Sequence, residues 1–186
     1  MRILTLIMVL APSIFVALYI HIGHSDQLVK KNIQNFIELE TLAPVPSLPL
    51  LSKDNSSVTL ENLRGKFLLV NFWATWCAPC VKELPSLNRL NKKLTNKGFD
   101  VVLISQDLGG FSQIEKYLKK LNIKMKYTFI DEKLNFSRAA KVTAIPTTIL
   151  ISPEGKEIGR LVGAIEWDSI DVIKMLERYK EKILQK

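Results

Sequence analysis

The chain of 186 residues contains two cysteines, Cys77 and Cys80, in the stretch NFWATWCAPCVKELP from Asn71 to Pro85. Two thiols three positions apart could hold a metal, staple the fold, or exchange a disulfide with another molecule. A metal site of the usual kind takes about four ligands. The only other soft ligands are His21 and His24, far upstream, so no metal site is expected. A staple is disfavoured on two grounds. So short a loop restricts the unfolded chain little, and a domain of this size buries enough apolar surface to fold without crosslinks. Thiol–disulfide exchange is the chemistry that the pair fits.

That chemistry needs elements to position it. Phe67–Trp73 (FLLVNFW) reads as a buried strand. The segment Val81–Leu94 carries Leu84, Leu87, Leu90 and Leu94 on one helical face, with Gly98 to end it. Cys77 therefore falls at the turn into a helix. The first N–H groups of a helix lack internal partners and its dipole is positive there, so the thiolate of Cys77 is favoured over the thiol. Pro79 suits an opening helical turn, where its missing N–H costs little. Cys77 is expected to attack a disulfide and Cys80 to resolve the mixed disulfide.

The remaining chain supplies a scaffold for this site. An apolar content of 47% and a charged content of 24% fit a globular core. The net charge of +8 is spread along the sequence without a basic run or a recognition motif, so nucleic acid is not an expected partner. Ile3–Ile20 is an uncharged apolar run behind Arg2, and residues 1–24 read as a signal anchor or signal peptide. Residues 25–42 read as a juxtamembrane linker, with Val29, Ile33, Phe36 and Ile37 on one helical stripe. Pro44, Pro46 and Pro49 then give an extended entry into a domain spanning 43–186.

Beyond the cysteines, further strands are expected at Val101–Ser105, Tyr127–Ile130, Thr147–Ile151 and Lys156–Val162, the last two joined as a hairpin through Pro153-Glu154-Gly155. Helices are expected around Ile114–Leu121, Leu134–Lys141 and Trp167–Leu184. This order predicts an α/β fold, with a mixed central sheet and helices on both faces.

FLLVNFWATWCAPC followed by VKELP, with TAIPTT downstream, resembles the thioredoxin superfamily. The LRGK lead at Leu63–Lys66, together with Asn71 before Phe-Trp, resembles its TlpA/ResA-like, membrane-tethered branch. The resemblance covers Ala43–Leu184 and implies a thioredoxin fold. It matches Cys77 to the attacking cysteine and Cys80 to the resolving one of a redox-active disulfide. Trp76, Ala78 and Pro79 match positions beside the reacting sulfur, and Ile145-Pro146 matches a cis-proline loop whose backbone pairs with substrate. Pro85 matches a proline inside the active-site helix. Trp76 could equally serve core packing, and Trp73 reads as structural.

Cytoplasmic members of the superfamily carry a buried Asp where this chain has Asn71. Glu83 matches an acidic residue that the branch keeps near the active site, where a carboxylate could manage the proton of Cys80. A solvated glutamate near the start of the helix is the competing reading. Gly109–Leu134 resembles the branch's extra insert.

By resemblance, the expected activity is that of an extracytoplasmic protein-disulfide reductase, anchored to the cytoplasmic membrane, monomeric and without a cofactor. Its expected partners are disulfide-containing exported proteins, apocytochrome c among them, and a membrane electron donor of the CcdA or DsbD type. A copper- or metal-delivery protein and a non-catalytic interaction module are the alternatives.

Overall fold

The structure is a computed structural model, and it describes Ile33 and residues 35–185. The chain divides into two units, Met1–Gln34 and Asn35–Lys186, and the sheet and its helices belong to the second. Among the described residues no helix is long and apolar enough to cross a membrane. The expected anchor, residues 1–24, lies outside them.

The elements in chain order are β1 (Phe36–Pro44), β2 (Leu50–Leu51), β3 (Ser57–Val58), a 3-10 turn (Leu60–Leu63), β4 (Phe67–Trp73), α1 (Ala78–Leu94), β5 (Phe99–Ser105), α2 (Gly110–Lys120), β6 (Tyr127–Ile130), α3 (Asn135–Ala139), β7 (Thr147–Ile151), β8 (Lys156–Val162) and α4 (Ile170–Leu184). They build one eight-stranded sheet in the order β1-β8-β7-β4-β5-β6-β2-β3. β4, β5 and β6 run parallel, and β7, β8 and β1 are added antiparallel to one another beside β4.

β4 is central, and all seven of its residues are buried. A strand covered on both faces needs an apolar run rather than an alternating pattern, and FLLVNFW is such a run. Its side chains still divide by a period of two. Leu68, Val70 and Phe72 join Val102, Ile104, Phe129, Ile149 and Ile151 in a core that also takes Phe136 and Ala140 from α3 and its C-cap. Asn71 points to the opposite face, toward α1. The leucine stripe of α1 (Leu84, Leu87, Leu90 and Leu94) is fully enclosed. Truncating any one of these to Ala would cost about 2–5 kcal/mol.

Two sequence expectations at the N-terminal edge give way. Phe36 and Ile37 are not on a helix, and residues 36–42 are not linker, because Phe36–Pro44 is a strand paired antiparallel with β8. Tertiary contacts override the helical stripe. The Phe36 ring lies 5.2 Å from that of Tyr179, and Tyr179 donates its hydroxyl hydrogen to Glu38 at 2.9 Å. Gly159 of β8 makes the approach possible, since a Cβ there would come within 2.6 Å of the Ile37 carbonyl oxygen.

Candidate active site

The geometry of the site follows from the end of β4. The antiparallel partner β7 begins where β4 finishes, with Phe72 opposite Thr147. The loop before β7 therefore arrives beside the turn that leads from β4 into α1. Cys77 stands on one side of this junction and Ile145-Pro146 on the other, with Cys77 Sγ 3.8 Å from the Ile145 carbonyl oxygen. The Ile145–Pro146 peptide bond is cis. The Pro146 carbonyl is occupied by the N–H of Gly163 at 2.8 Å. Arg160 fixes the run-up to this loop: it donates to the carbonyls of Ala140 and Lys141 at 3.0 and 3.1 Å while paired with Glu157.

Helix α1 opens earlier than its apolar stripe predicts. It starts at Ala78, with Cys77 as N-cap and Pro79 in the first turn. Cys77 and Cys80 are joined in a disulfide. Cys77 Sγ accepts the backbone N–H of Cys80 at 3.3 Å. A free helix-end donor thus points at this sulfur, in the place where a thiolate would gain from it. The two sulfurs differ in access: Cys77 is 6% exposed and Cys80 fully enclosed. Trp76, beside them, is 68% exposed, so it does not serve the core; Trp73 is completely buried.

Glu83 is 2% exposed, and its burial removes the solvated reading. It lies one helical turn beyond Cys80, on the same side of α1. Its carboxylate accepts from Asn71 Nδ2 at 2.7 Å, from Trp167 Nε1 at 2.8 Å and from the Ile165 N–H at 3.2 Å. Desolvation pushes its pKa up to about 7, against the downward pull of the donors on Trp167, Asn71 and Ile165. A carboxyl group so tuned changes charge in the neutral range, where proton transfer is most useful. Asn71 Nδ2 also donates to Thr148 Oγ1 at 2.9 Å, which ties the group to β7.

Trp167 is the site residue that the sequence reading assigned elsewhere. It was expected inside the last helix, but that helix begins at Ile170 with Ser169 as N-cap. Asp168-Ser169 ahead of an apolar run is the start signal that would have placed Trp167 outside. The segment around it is fastened to α1. Trp167 N–H donates to Ser86 Oγ at 3.0 Å, and Arg89 pairs with both Glu166 and Asp168. Arg89, as the largest influence, holds the Asp168 carboxyl down at about 2.

A second buried acid, Asp107, holds the other side. Its carboxylate accepts from the Thr75 N–H at 2.9 Å, the Thr75 hydroxyl at 2.6 Å and the Ser105 hydroxyl at 2.7 Å. Gln113 of α2 donates to the Thr75 hydroxyl at 2.9 Å. The turn that carries Trp76 and Cys77 is therefore bound to the loop after β5 and to α2.

The comparisons with known proteins agree with this geometry. The chain is 28% identical over 138 residues to the thiol-disulfide oxidoreductase ResA of Bacillus cereus, covering 74% of this chain and 75% of that one. It is 28% identical over 120 residues to ResA of Bacillus subtilis, covering 64% and 66%. The crystal structure of a thiol:disulfide interchange protein DsbE from Chlorobium tepidum superposes with a TM-score of 0.66 at 27% identity, over 75% of this chain and 97% of that one. The fold is thus the thioredoxin fold expected from the sequence, with its mixed sheet and flanking helices. The Redoxin family model matches residues 31–176, a span that contains the disulfide, Glu83, Asp107 and the proline loop, and the chain belongs to that family as a ResA-like member of the thioredoxin superfamily.

Proposed function

We propose that this thiol–disulfide oxidoreductase works as a reductant of disulfides in exported proteins, tethered on the extracytoplasmic side of the membrane. The observation that carries the reading is the asymmetry of the pair: the cysteine at the helix end keeps a small exposed surface and accepts a helix-end N–H, while the second is fully enclosed. In the reduced protein the Cys77 thiolate attacks one sulfur of a substrate disulfide, and the other substrate sulfur leaves as a thiol. The Cys80 thiolate then attacks Cys77 Sγ, the second substrate thiol departs, and two electrons have passed to the substrate. The oxidised Cys77–Cys80 bond is the product of that cycle. A membrane thiol carrier of the CcdA or DsbD type would reduce it again, and the CxxCH disulfide of apocytochrome c is one substrate that fits.

Three further roles follow. Glu83 accepts the proton that Cys80 must lose before it attacks. Trp76, Ala78 and Pro79 line the approach to Cys77. The backbone at Ile145-Pro146 receives the substrate segment as an added strand. Reduction of a peptide disulfide by the wild type, set against Cys77→Ser, tests the activity, and equal rates for the two would refute it. Trapping with Cys80→Ser tests the substrate class, because covalent adducts on Cys77 would name the exported proteins it serves.

A further inference from the structure

Lysines that are scattered along the sequence come together in space. Lys53, Lys116, Lys119, Lys124 and Lys126 line a single groove beside α2, with Glu115 as the one acidic residue in its wall. Glu115 is already paired with Lys53. Among the described residues the other four lysines make no ion pair. The groove therefore carries half of the chain's formal net charge of +8. Its floor is apolar: Leu118 and Ile123 are buried, and Phe111 and Met125 are partly covered. The volume is about 790 Å³, room for several residues of a polypeptide rather than for one small anion.

Helix α2, which forms one wall of the groove, also touches the active-site turn. Gln113, one turn before Lys116, is hydrogen-bonded to Thr75, two residues from Cys77. The groove and the disulfide-bearing loop are thus connected through one helix.

We infer that this groove docks an acidic stretch, interspersed with apolar residues, in the protein whose disulfide exchanges at Cys77. The charge fixes the sign of the ligand, and the apolar floor fixes its amphipathic character. Concavity selects a chain over a bilayer, because a flat anionic surface reaches the rim lysines but cannot fill the groove. Like charges concentrated in a cleft raise the local concentration of an oppositely charged partner and its rate of encounter. The inference rests on the proposed exchange of Cys77 with a polypeptide disulfide, which it deepens by naming a partner chemistry.

The test uses the full chain in neutral detergent and two synthetic peptides containing the same disulfide. One is flanked by a Glu- and Leu-containing segment and the other by a Ser- and Leu-containing segment. The wild type should reduce the acidic peptide about tenfold faster in kcat/KM at low ionic strength, and the advantage should shrink at high salt. The triple variant Lys116→Glu/Lys119→Glu/Lys124→Glu should bring the ratio of the two rates to one or below; a general loss of folding would lower both rates and leave the ratio intact. A labelled acidic peptide lacking cysteine should bind the wild type and not the triple variant, which reads the groove independently of redox chemistry. A rate ratio unchanged in the variant overturns the inference. So does charge-dependent binding seen only with phosphatidylglycerol vesicles and not with the peptide. Peptide binding without reduction of either disulfide overturns the exchange reading instead, and leaves the groove as a binding site.

Discussion

The indole N–H of Trp167 donates to a carboxylate oxygen of Glu83 at 2.8 Å, although 84 residues separate the two in the chain. The contact joins the loop before the last helix to the middle of the helix that begins at the disulfide. It gives the buried acid a neutral, fixed donor rather than a cationic partner. Its carboxyl group is left to titrate near neutrality instead of being held permanently charged.

The first prediction concerns pH. Desolvation raises Glu83 to about 7, so its proton-accepting form appears as pH rises through that value. The resolving step in the wild type should accelerate over the same range, and Glu83→Gln should lose this limb. Rapid-mixing measurement of mixed-disulfide decay against pH checks it; superimposable profiles would remove the role given to Glu83.

Stability carries the same group with a definite sign. The folded pKa lies above the ordinary value of 4.5, so the folded state holds its proton more tightly than the unfolded chain. Stability is therefore full below the unfolded value and falls as pH rises through about 7. For a shift of this size the loss is about 3 kcal/mol. Denaturant midpoints of the wild type should fall over that window, while Glu83→Gln should remain flatter.

Trp167→Phe keeps the apolar bulk and deletes the donor. Hydrogen bonds to charged groups contribute about 1.5–3 kcal/mol, so the acid limb of the pH–rate profile should move upward by about one to two units. A loss of packing alone would lower stability and leave the limb where it is.

Asp107→Ala should unfasten the active-site turn. It leaves the Thr75 N–H and the hydroxyls of Thr75 and Ser105 without their acceptor, at a cost of about 2–3 kcal/mol. Thermal unfolding measures the cost. Asp107→Asn, which retains an acceptor oxygen, should recover part of it.

How much of this was legible in the sequence varied with how local the cause was. FLLVNFW and the leucines of α1 declared their elements, because burial on both faces leaves an unbroken apolar run and a helix face leaves a periodic stripe. Thr147–Ile151 and Lys156–Val162 matched their strands to the residue, since a Pro-Glu-Gly turn fixes a hairpin from within. β1 was not legible as a strand. Its partner lies more than a hundred residues away, and the clue was the absence of a side chain at Gly159. The cysteine pair announced itself by spacing, whereas the residues alone showed Glu83 as an acid on a helix, and its place near the active site came from the resemblance. Its burial depends on Trp167 and Asn71, which approach from two other elements. Lysines that look dispersed along the chain become a charged groove only once α2 and the following loop are packed.

The guanidinium of Arg160 has one more consequence. By gripping the carbonyls of Ala140 and Lys141, it sets the shape of the segment leading to Pro146 before any ligand arrives. In the proposed mode of substrate capture, an incoming polypeptide would meet a preset edge and surrender only its own conformational freedom, so tightness of association there would be governed by how disordered the visitor is.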